Sequence, residues 1–378
     1  MIYLDNAATT IQKPKQVADA IYDAIISEQY GNPSRGAYPQ SLNSLRKMYE
    51  VRETIANFFG FDEPLKVILT PNITFGINFV IQSLFSKNDH IITSVTEHNS
   101  VLRPLYNLEK NGGELSFLEM DEDFNIKVKD LEKYLKPNTK AIVVTAASNV
   151  SGKFTDLKTI NRFTLNHGLK LIVDGAQIAG AIPFTLEDYD EIIFAFTGHK
   201  SLHGPQGTGG FIVKGDFKFD QVFSGGSGFD TFSKEQPKQL PELFEPGTAN
   251  IHSFLGLKAG IETINSQEVF KHLDHLTRML HDGISKIDNV KLYTKLEEIN
   301  APIVSFNIHG ANSQEISDIL WEEYNICSRS ANHCAPLFHK AMKTERRGIV
   351  RLSLSSYNTE SEILETIKAV EEIAKSYL

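Results

Sequence analysis

The sequence predicts an α/β protein, a mainly parallel sheet covered on both faces and followed by a smaller α+β segment. Three observations predict it. Short apolar runs alternate with helix-period segments through the middle of the chain; the pattern lapses in one long stretch rich in glycine and proline; beyond it strands and helices resume. Alternation of strand and helix implies crossover connections that bury the sheet on both sides.

Val67–Leu69, Ile91–Thr93, Ala141–Thr145, Leu171–Val173, Ile192–Phe196 and Gly210–Val213 are short, apolar and bounded by polar or glycine-containing turns, and they read as buried strands. Between them Phe75–Phe85, Val101–Asn111 and Asp156–His167 carry apolar residues at helical spacing. From Ser224 to Asn250 the chain has Gly225, Gly226, Gly228, Pro237, Pro241, Pro246 and Gly247 and no clear period. An irregular segment of that length is usually functional or disordered. Ile251–Asn265 and Glu268–Ile287 then read as helices. Strand-like Ile303–Ile308 and Val350–Ser353 alternate with helices at Asn312–Tyr324 and Glu360–Tyr377.

At 378 residues the chain has room for two or three domains. Its net charge of −9, with no basic block, gives no footprint for nucleic acid or an anionic membrane. No apolar run approaches a membrane span. Met1 to Thr10 lacks the pattern of a signal peptide, and two cysteines cannot make a disulfide framework. A cytoplasmic location is therefore expected.

Ligands of open α/β sheets bind beyond the carboxyl ends of the strands. The residues following the predicted strands form a consistent set: T-P-N-I-T (Thr70–Thr74), T-E-H-N (Thr96–Asn99), S-N-V-S-G (Ser148–Gly152), D-G-A-Q (Asp174–Gln177) and T-G-H-K (Thr197–Lys200). Taken singly, Asn72 and Thr74 read as helix caps, His98 as a satisfied histidine and Lys200 as a solvated turn residue. Together they resist that reading. An acid for a pyridine nitrogen and a lysine for an imine are what a pyridoxal site requires. There is no P-loop, no H-E-x-x-H and no G-x-G-x-x-G after a predicted strand. His333, Cys334 and His339 alone make a weak metal set, and none is assigned.

These motifs, with Y-L-D-N-A-A-T-T (Tyr3–Thr10), H-C-A-P (His333–Pro336) and R-L-S-L-S-S-Y-N-T (Arg351–Thr359), resemble the cysteine desulfurase and selenocysteine lyase family. That family lies in the class V aminotransferase group of fold-type I pyridoxal-phosphate enzymes. The resemblance implies a large domain (14–250) with a mainly parallel seven-stranded sheet and a small α+β domain (1–13 and 251–378). It implies pyridoxal 5'-phosphate bound as a Schiff base to Lys200, which also moves the Cα proton. Asp174 would pair with the ring nitrogen, Gln177 with the phenolic oxygen, and His98 would stack on the ring and relay a proton. Asn149 would contact the ring oxygen or the substrate. Ile73, Thr74, Thr197 and His199 would hold the phosphate, joined by Thr248 reaching across a homodimer. Arg351 would clamp the substrate carboxylate, with Asn149 and Asn32 nearby.

Cys334 matches the family's sulfur acceptor. Its thiolate would attack the substrate Sγ, leaving a persulfide and releasing alanine, with Arg329 and His333 expected to favour the thiolate. For Cys327 a packing role is favoured. The chain departs from the family pattern at Ala331-Asn332, where Gly-His is usual, and at Asn72-Ile73, where a hydroxyl is missing; Y-G-N-P-S (Tyr30–Ser34) resembles a different subgroup from H-C-A-P. A cysteine desulfurase acting on L-cysteine is the leading reading, with a sulfur-acceptor protein as a further partner. The alternatives are a selenocysteine lyase, another class V lyase or aminotransferase, and a silent scaffold, which the presence of Lys200, Asp174 and Arg351 argues against.

Overall fold

A computed structural model describes residues 1–33, 36–228 and 231–378. Ser34 of the Y-G-N-P-S motif and two positions of the irregular 224–250 stretch lie outside the described residues. The strands, in chain order, are β1 (Ile2–Tyr3), β2 (Val67–Thr70), β3 (His90–Ser94), β4 (Glu114–Leu118), β5 (Thr139–Thr145), β6 (Lys170–Asp174), β7 (Ile192–Thr197), β8 (Gly209–Lys214), β9 (Val290–Leu292), β10 (Ile303–Ile308), β11 (Ile326–Cys327) and β12 (Val350–Ser353).

Seven of these form one sheet in the order β2-β8-β7-β6-β5-β3-β4. β8 runs antiparallel to both neighbours, and every other pairing is parallel. The expected mainly parallel, seven-stranded α/β sheet is present. Its central strands are apolar on both faces because both faces are covered. On β5, Ala141 and Val143 join one buried cluster while Ile142 and Val144 join the other. Helices Ile73–Leu84 and Asn99–Lys110 cover the first side with Ile77, Ile81, Val101 and Leu105. Helices Pro39–Phe58, Leu157–His167 and Ile251–Glu262 cover the second with Val51, Ile55, Ile160 and Leu257.

β4 was not anticipated, since its E-L-S-F-L is half-exposed at the sheet edge and lacks the apolar run of a central strand. A three-stranded antiparallel sheet, β12-β10-β9, follows in the chain, and β1 pairs with β11 in a parallel ribbon. Isolated bridges extend that ribbon: Asp5 lies beside Ser353, and Arg329 beside Arg351. The chain's first residues are thereby drawn against its last strand.

Candidate active site

The carboxyl ends of β2, β3, β5, β6 and β7 share one edge, because β2 and β7 both run antiparallel to β8. Beyond that edge lies a cavity of about 480 Å³. It brings together Ile73, Thr74, His98, Asn149, Asp174, Gln177, Thr197, His199, Lys200, Cys334 and Arg351. A larger, open groove of about 1090 Å³, floored by Phe154, Phe184 and Tyr189, contains neither Lys200 nor Cys334. Thr248 and Asn32 are not in the cavity of their own chain. Thr248 is exposed in a neighbouring groove with Phe75 and Phe223, and Asn32 is exposed with its carbonyl accepting from Ser41 Oγ at 2.7 Å.

Asp174 ends β6, and its Oδ1 accepts from the Ala176 N–H at 2.9 Å. Gly175 must follow, since a Cβ there would come within 2.2 Å of the Phe194 ring and 2.8 Å of the Ala195 carbonyl. Ser100 Oγ lies 3.4 Å from Asp174 Oδ2 and 2.8 Å from His98 Nδ1. The Ser100 N–H donates to that same Nδ1 at 3.0 Å, so His98 carries its proton on Nε2. Burial lowers the pKa of His98, Asp174 raises it, and Lys200 and the two nearby arginines lower it. His98 is therefore a neutral ring with an N–H donor. Gln177 makes only a 3.4 Å contact to the Ala7 carbonyl.

Lys200 has its pKa brought down to about 8, chiefly by burial; Asp174 opposes this, and Arg351 and Arg329 reinforce it. The T-G-H-K turn is pinned by the N-terminal segment. Thr10 Oγ1 donates to the Lys200 carbonyl at 2.6 Å, Thr9 Oγ1 lies 3.0 Å from His199 Nδ1, and Lys13 Nζ donates to the His199 carbonyl at 2.8 Å. Holding this turn is thus one role of the Y-L-D-N-A-A-T-T segment.

The helix Ile73–Leu84 opens at the cavity, its first N–H groups unpaired within the helix as at any helix start. Asn72 is its N-cap, its Oδ1 accepting from Phe75 N at 3.2 Å. Gly209 lets β8 pass close by, for a Cβ there would meet the Asn72 backbone at 2.8 Å. Thr74 faces the cavity, as does Thr197, whose Oγ1 is buried with no hydrogen-bond partner. His199 is neutral, its pKa lowered to about 4 by burial and by Lys200 and Lys13.

The other wall comes from the C-terminal part of the chain. Arg351 on β12 is 2% exposed, and its fork is already engaged: Nη2 donates to Asp5 Oδ1 at 2.9 Å and Nη1 to the Asn149 carbonyl at 3.0 Å. Only its Nε lacks a partner. Both Nη groups of Arg351, expected to clamp the substrate carboxylate, thus have protein partners in this structure. Arg329 lies 3.6 Å from the other Asp5 oxygen and is much more exposed. Asn149 Nδ2 donates to the His333 carbonyl at 2.8 Å, which leaves its buried Oδ1 unpartnered. Cys334 is exposed at the cavity, and its carbonyl accepts from the Asn99 N–H at 2.7 Å. His333 does not supply positive charge to that thiol. It is buried, its pKa is driven well below the ordinary histidine value by burial first and Arg351 next, and its Nε2 donates to the Ile349 carbonyl at 2.9 Å. Cys327 sits on β11 beside Tyr3, with burial pushing its thiol up.

Residues 2–365 match the aminotransferase class-V family. The chain belongs to that family. A probable cysteine desulfurase of Methanothermobacter thermautotrophicus is 32% identical, the alignment covering 99% of this chain and 94% of that one. The structure superposes on the apo cysteine desulfurase of Thermococcus onnurineus with a TM-score of 0.91 at 30% identity, covering 99% and 95% of the two chains. The Escherichia coli cysteine desulfurase CsdA gives 0.86 at 25% identity, covering 100% and 95%. Asp5, Thr9, Thr10 and Ser100 help to build this site, though the sequence assigns none of them a role. Their signal was the Tyr3–Thr10 motif and the helix start after His98, but their partners lie far away in sequence.

Proposed function

We propose that this chain is a pyridoxal-phosphate-dependent cysteine desulfurase that converts L-cysteine to L-alanine and collects the sulfur on Cys334. The observation that carries the reading is the presence of Lys200 and the exposed Cys334 in one cavity, contributed by segments far apart in the chain. The close likeness to curated cysteine desulfurases supports it.

The residues present fit the cofactor. An anionic carboxylate with few donors faces a ring-sized space, and the unpartnered Thr197 hydroxyl, Thr74, His199 and a helix N-terminus make an anion cradle. Pyridoxal phosphate supplies an aldehyde for imine formation and a ring that accepts electrons from the substrate Cα. Lys200, partly neutral near its pKa of about 8, is suited to hold the aldehyde and then to take the Cα proton. Asp174 would hold a proton on the ring nitrogen, His98 would stack on the ring with its Nε2–H available, and Gln177 and Asn149 would orient ring and substrate. Cys334 Sγ attacks the substrate Sγ. The new S–S bond forms as the Cβ–S bond breaks, its electron pair remaining with the carbon that becomes the alanine methyl. Cysteine and thiol thus become alanine and persulfide with no outside oxidant or reductant.

Carboxylate recognition belongs to the Arg351–Asp5–Arg329 group rather than to an open fork on Arg351, with Nε of Arg351 and the exposed Arg329 as its donors. A homodimer completes the site. Tyr38, Leu42, Leu45 and Tyr49 form an exposed apolar stripe along one helix, and Thr248, outside its own cavity, reaches the partner subunit's phosphate. Two unpaired cysteines and the absence, among the described residues, of any helix long and apolar enough to cross a membrane accord with a cytoplasmic enzyme. A sulfur-acceptor protein would then collect the persulfide at the exposed thiol.

Borohydride reduction of the cofactor-loaded chain followed by peptide mapping is expected to place the pyridoxyl label on Lys200. Brief incubation with L-cysteine is expected to leave a persulfide on Cys334 and one alanine per persulfide. A label on another lysine, or alanine without any persulfide, overturns the assignment.

A further inference from the structure

Glu97, between the end of β3 and His98, is fully buried, with 0% of its surface exposed. Among the described residues it makes no ion pair, and the charged group bearing on it is another anion, Asp174. Its Oε1 lies 2.5 Å from Ser94 Oγ, while its Oε2 has no hydrogen-bond partner. Ser94 Oγ accepts from the Thr96 N–H at 3.1 Å and sits 2.8 Å from Thr96 Oγ1. An ionised carboxylate here would leave one oxygen bare of donors in a dry region beside a like charge, which is strongly disfavoured. A carboxylic acid closes the network instead. Its O–H donates to Ser94 Oγ, the Ser94 hydroxyl donates to Thr96 Oγ1, and the unpartnered oxygen is only a carbonyl, whose desolvation costs far less.

We propose that Glu97 is held as a neutral carboxylic acid, a positioning residue that fixes the strand-end turn carrying His98 and leaves the negative charge beneath the cavity to Asp174. Burial pushes the Glu97 carboxyl up to about 8; Ser94 and the Thr145 backbone oppose this, and Asp174 adds to it. The groups that face it are Ser94 and Thr96 on its own turn, the Thr145 backbone at the end of β5 and Asp174 at the end of β6. A second negative charge here would compete with Asp174 for the field at Lys200 and the ring nitrogen and would raise the proton affinity of His98 and Lys200. The consequence for catalysis rests on the cofactor reading above; the protonation state does not.

The first test therefore uses the chain free of cofactor. Its infrared spectrum at neutral pH is expected to show a protonated-carboxyl C=O stretch that shifts in D2O, is missing from Glu97→Gln, and fades as pH rises through about 8. A spectrum identical to that of Glu97→Gln overturns the proposal. The second test uses linkage. The folded chain keeps a proton that the unfolded chain loses near 4.5, so between about 4.5 and 8 the wild type should lose stability relative to Glu97→Gln as pH rises. A difference in thermal midpoint that stays flat from pH 5 to 8 overturns it. In the loaded enzyme Glu97→Gln should keep the cofactor absorption, its pH dependence and kcat within about threefold. Glu97→Ala, with no donor for Ser94, should lower kcat about tenfold or more with KM little changed. A shifted pH dependence in Glu97→Gln would mean that an anion had been removed, and would overturn the proposal while leaving the desulfurase reading intact.

Discussion

The two walls of the cavity are built in opposite ways. On one wall Asp174, Thr197 and Lys200 stand at or just past the ends of central strands, with β7 buried along its whole length and the T-G-H-K turn pinned by Thr9 and Thr10. On the other, Ala331, His333 and Cys334 all adopt left-handed backbone, with φ of 71°, 47° and 56°, though none is glycine. Each such residue costs roughly 1–2 kcal/mol. Their carbonyls accept hydrogen bonds from distant segments: from Ile349 N at Ala331, from Asn149 Nδ2 at His333, and from Asn99 N at Cys334. The difference teaches that the cofactor wall resists displacement while the thiol wall stores strain. On the proposed reading, a thiol that first reaches the substrate sulfur and then offers it outward would be well placed on the second.

The largest effect that separates the walls is expected from Cys334→Ala. It should abolish alanine formation from L-cysteine while leaving cofactor absorption and the thermal midpoint unchanged, because the exposed thiol supports neither. Selenocysteine turnover should persist in part, since a selenol leaves more readily than a thiol. Loss of the cofactor spectrum in this variant would show that the walls are not independent.

An intermediate effect is expected where the walls meet. Asp5→Asn removes the charge paired with the buried Arg351, and it should destabilise the chain by roughly 1.5–3 kcal/mol and raise KM for cysteine more than it lowers kcat. Denaturation midpoints and steady-state kinetics measure both. An unchanged KM would assign Asp5 and Arg351 to folding alone.

The smallest is Ala331→Gly. Relieving one left-handed alanine should raise stability by up to about 1 kcal/mol, read as an increase in the thermal midpoint, with kcat altered by no more than a few-fold. A decrease in midpoint would show that the Ala331 methyl packs favourably enough to outweigh its backbone cost. Gly348 already packs there, since a Cβ on it would come within 2.7 Å of Ala331 Cα.

The cofactor wall was legible in the sequence because its signals are local. Buried strands announce themselves as apolar runs, and the polar residues that follow each run fall on one edge of any parallel sheet, so Asp174, His98 and Lys200 could be grouped before their positions were known. The parallel β1–β11 ribbon and the edge strand β9 of the small antiparallel sheet were less legible: β1, β9 and β11 are two or three residues long, too short for any period.

What the sequence by itself determined is the α/β architecture and the set of strand-end groups, for both follow from hydrophobic pattern and from residue types a few positions apart. Only the tertiary structure decided the electrical state of those groups. Arg351 is occupied by Asp5, 346 residues away in the chain; His333 is neutral beside the thiol it was expected to activate; Glu97 lies beside Asp174 with, among the described residues, no cation to pair it. Charge states depend on desolvation and on partners within a few ångströms, and those are properties of the folded assembly that no local stretch of sequence contains.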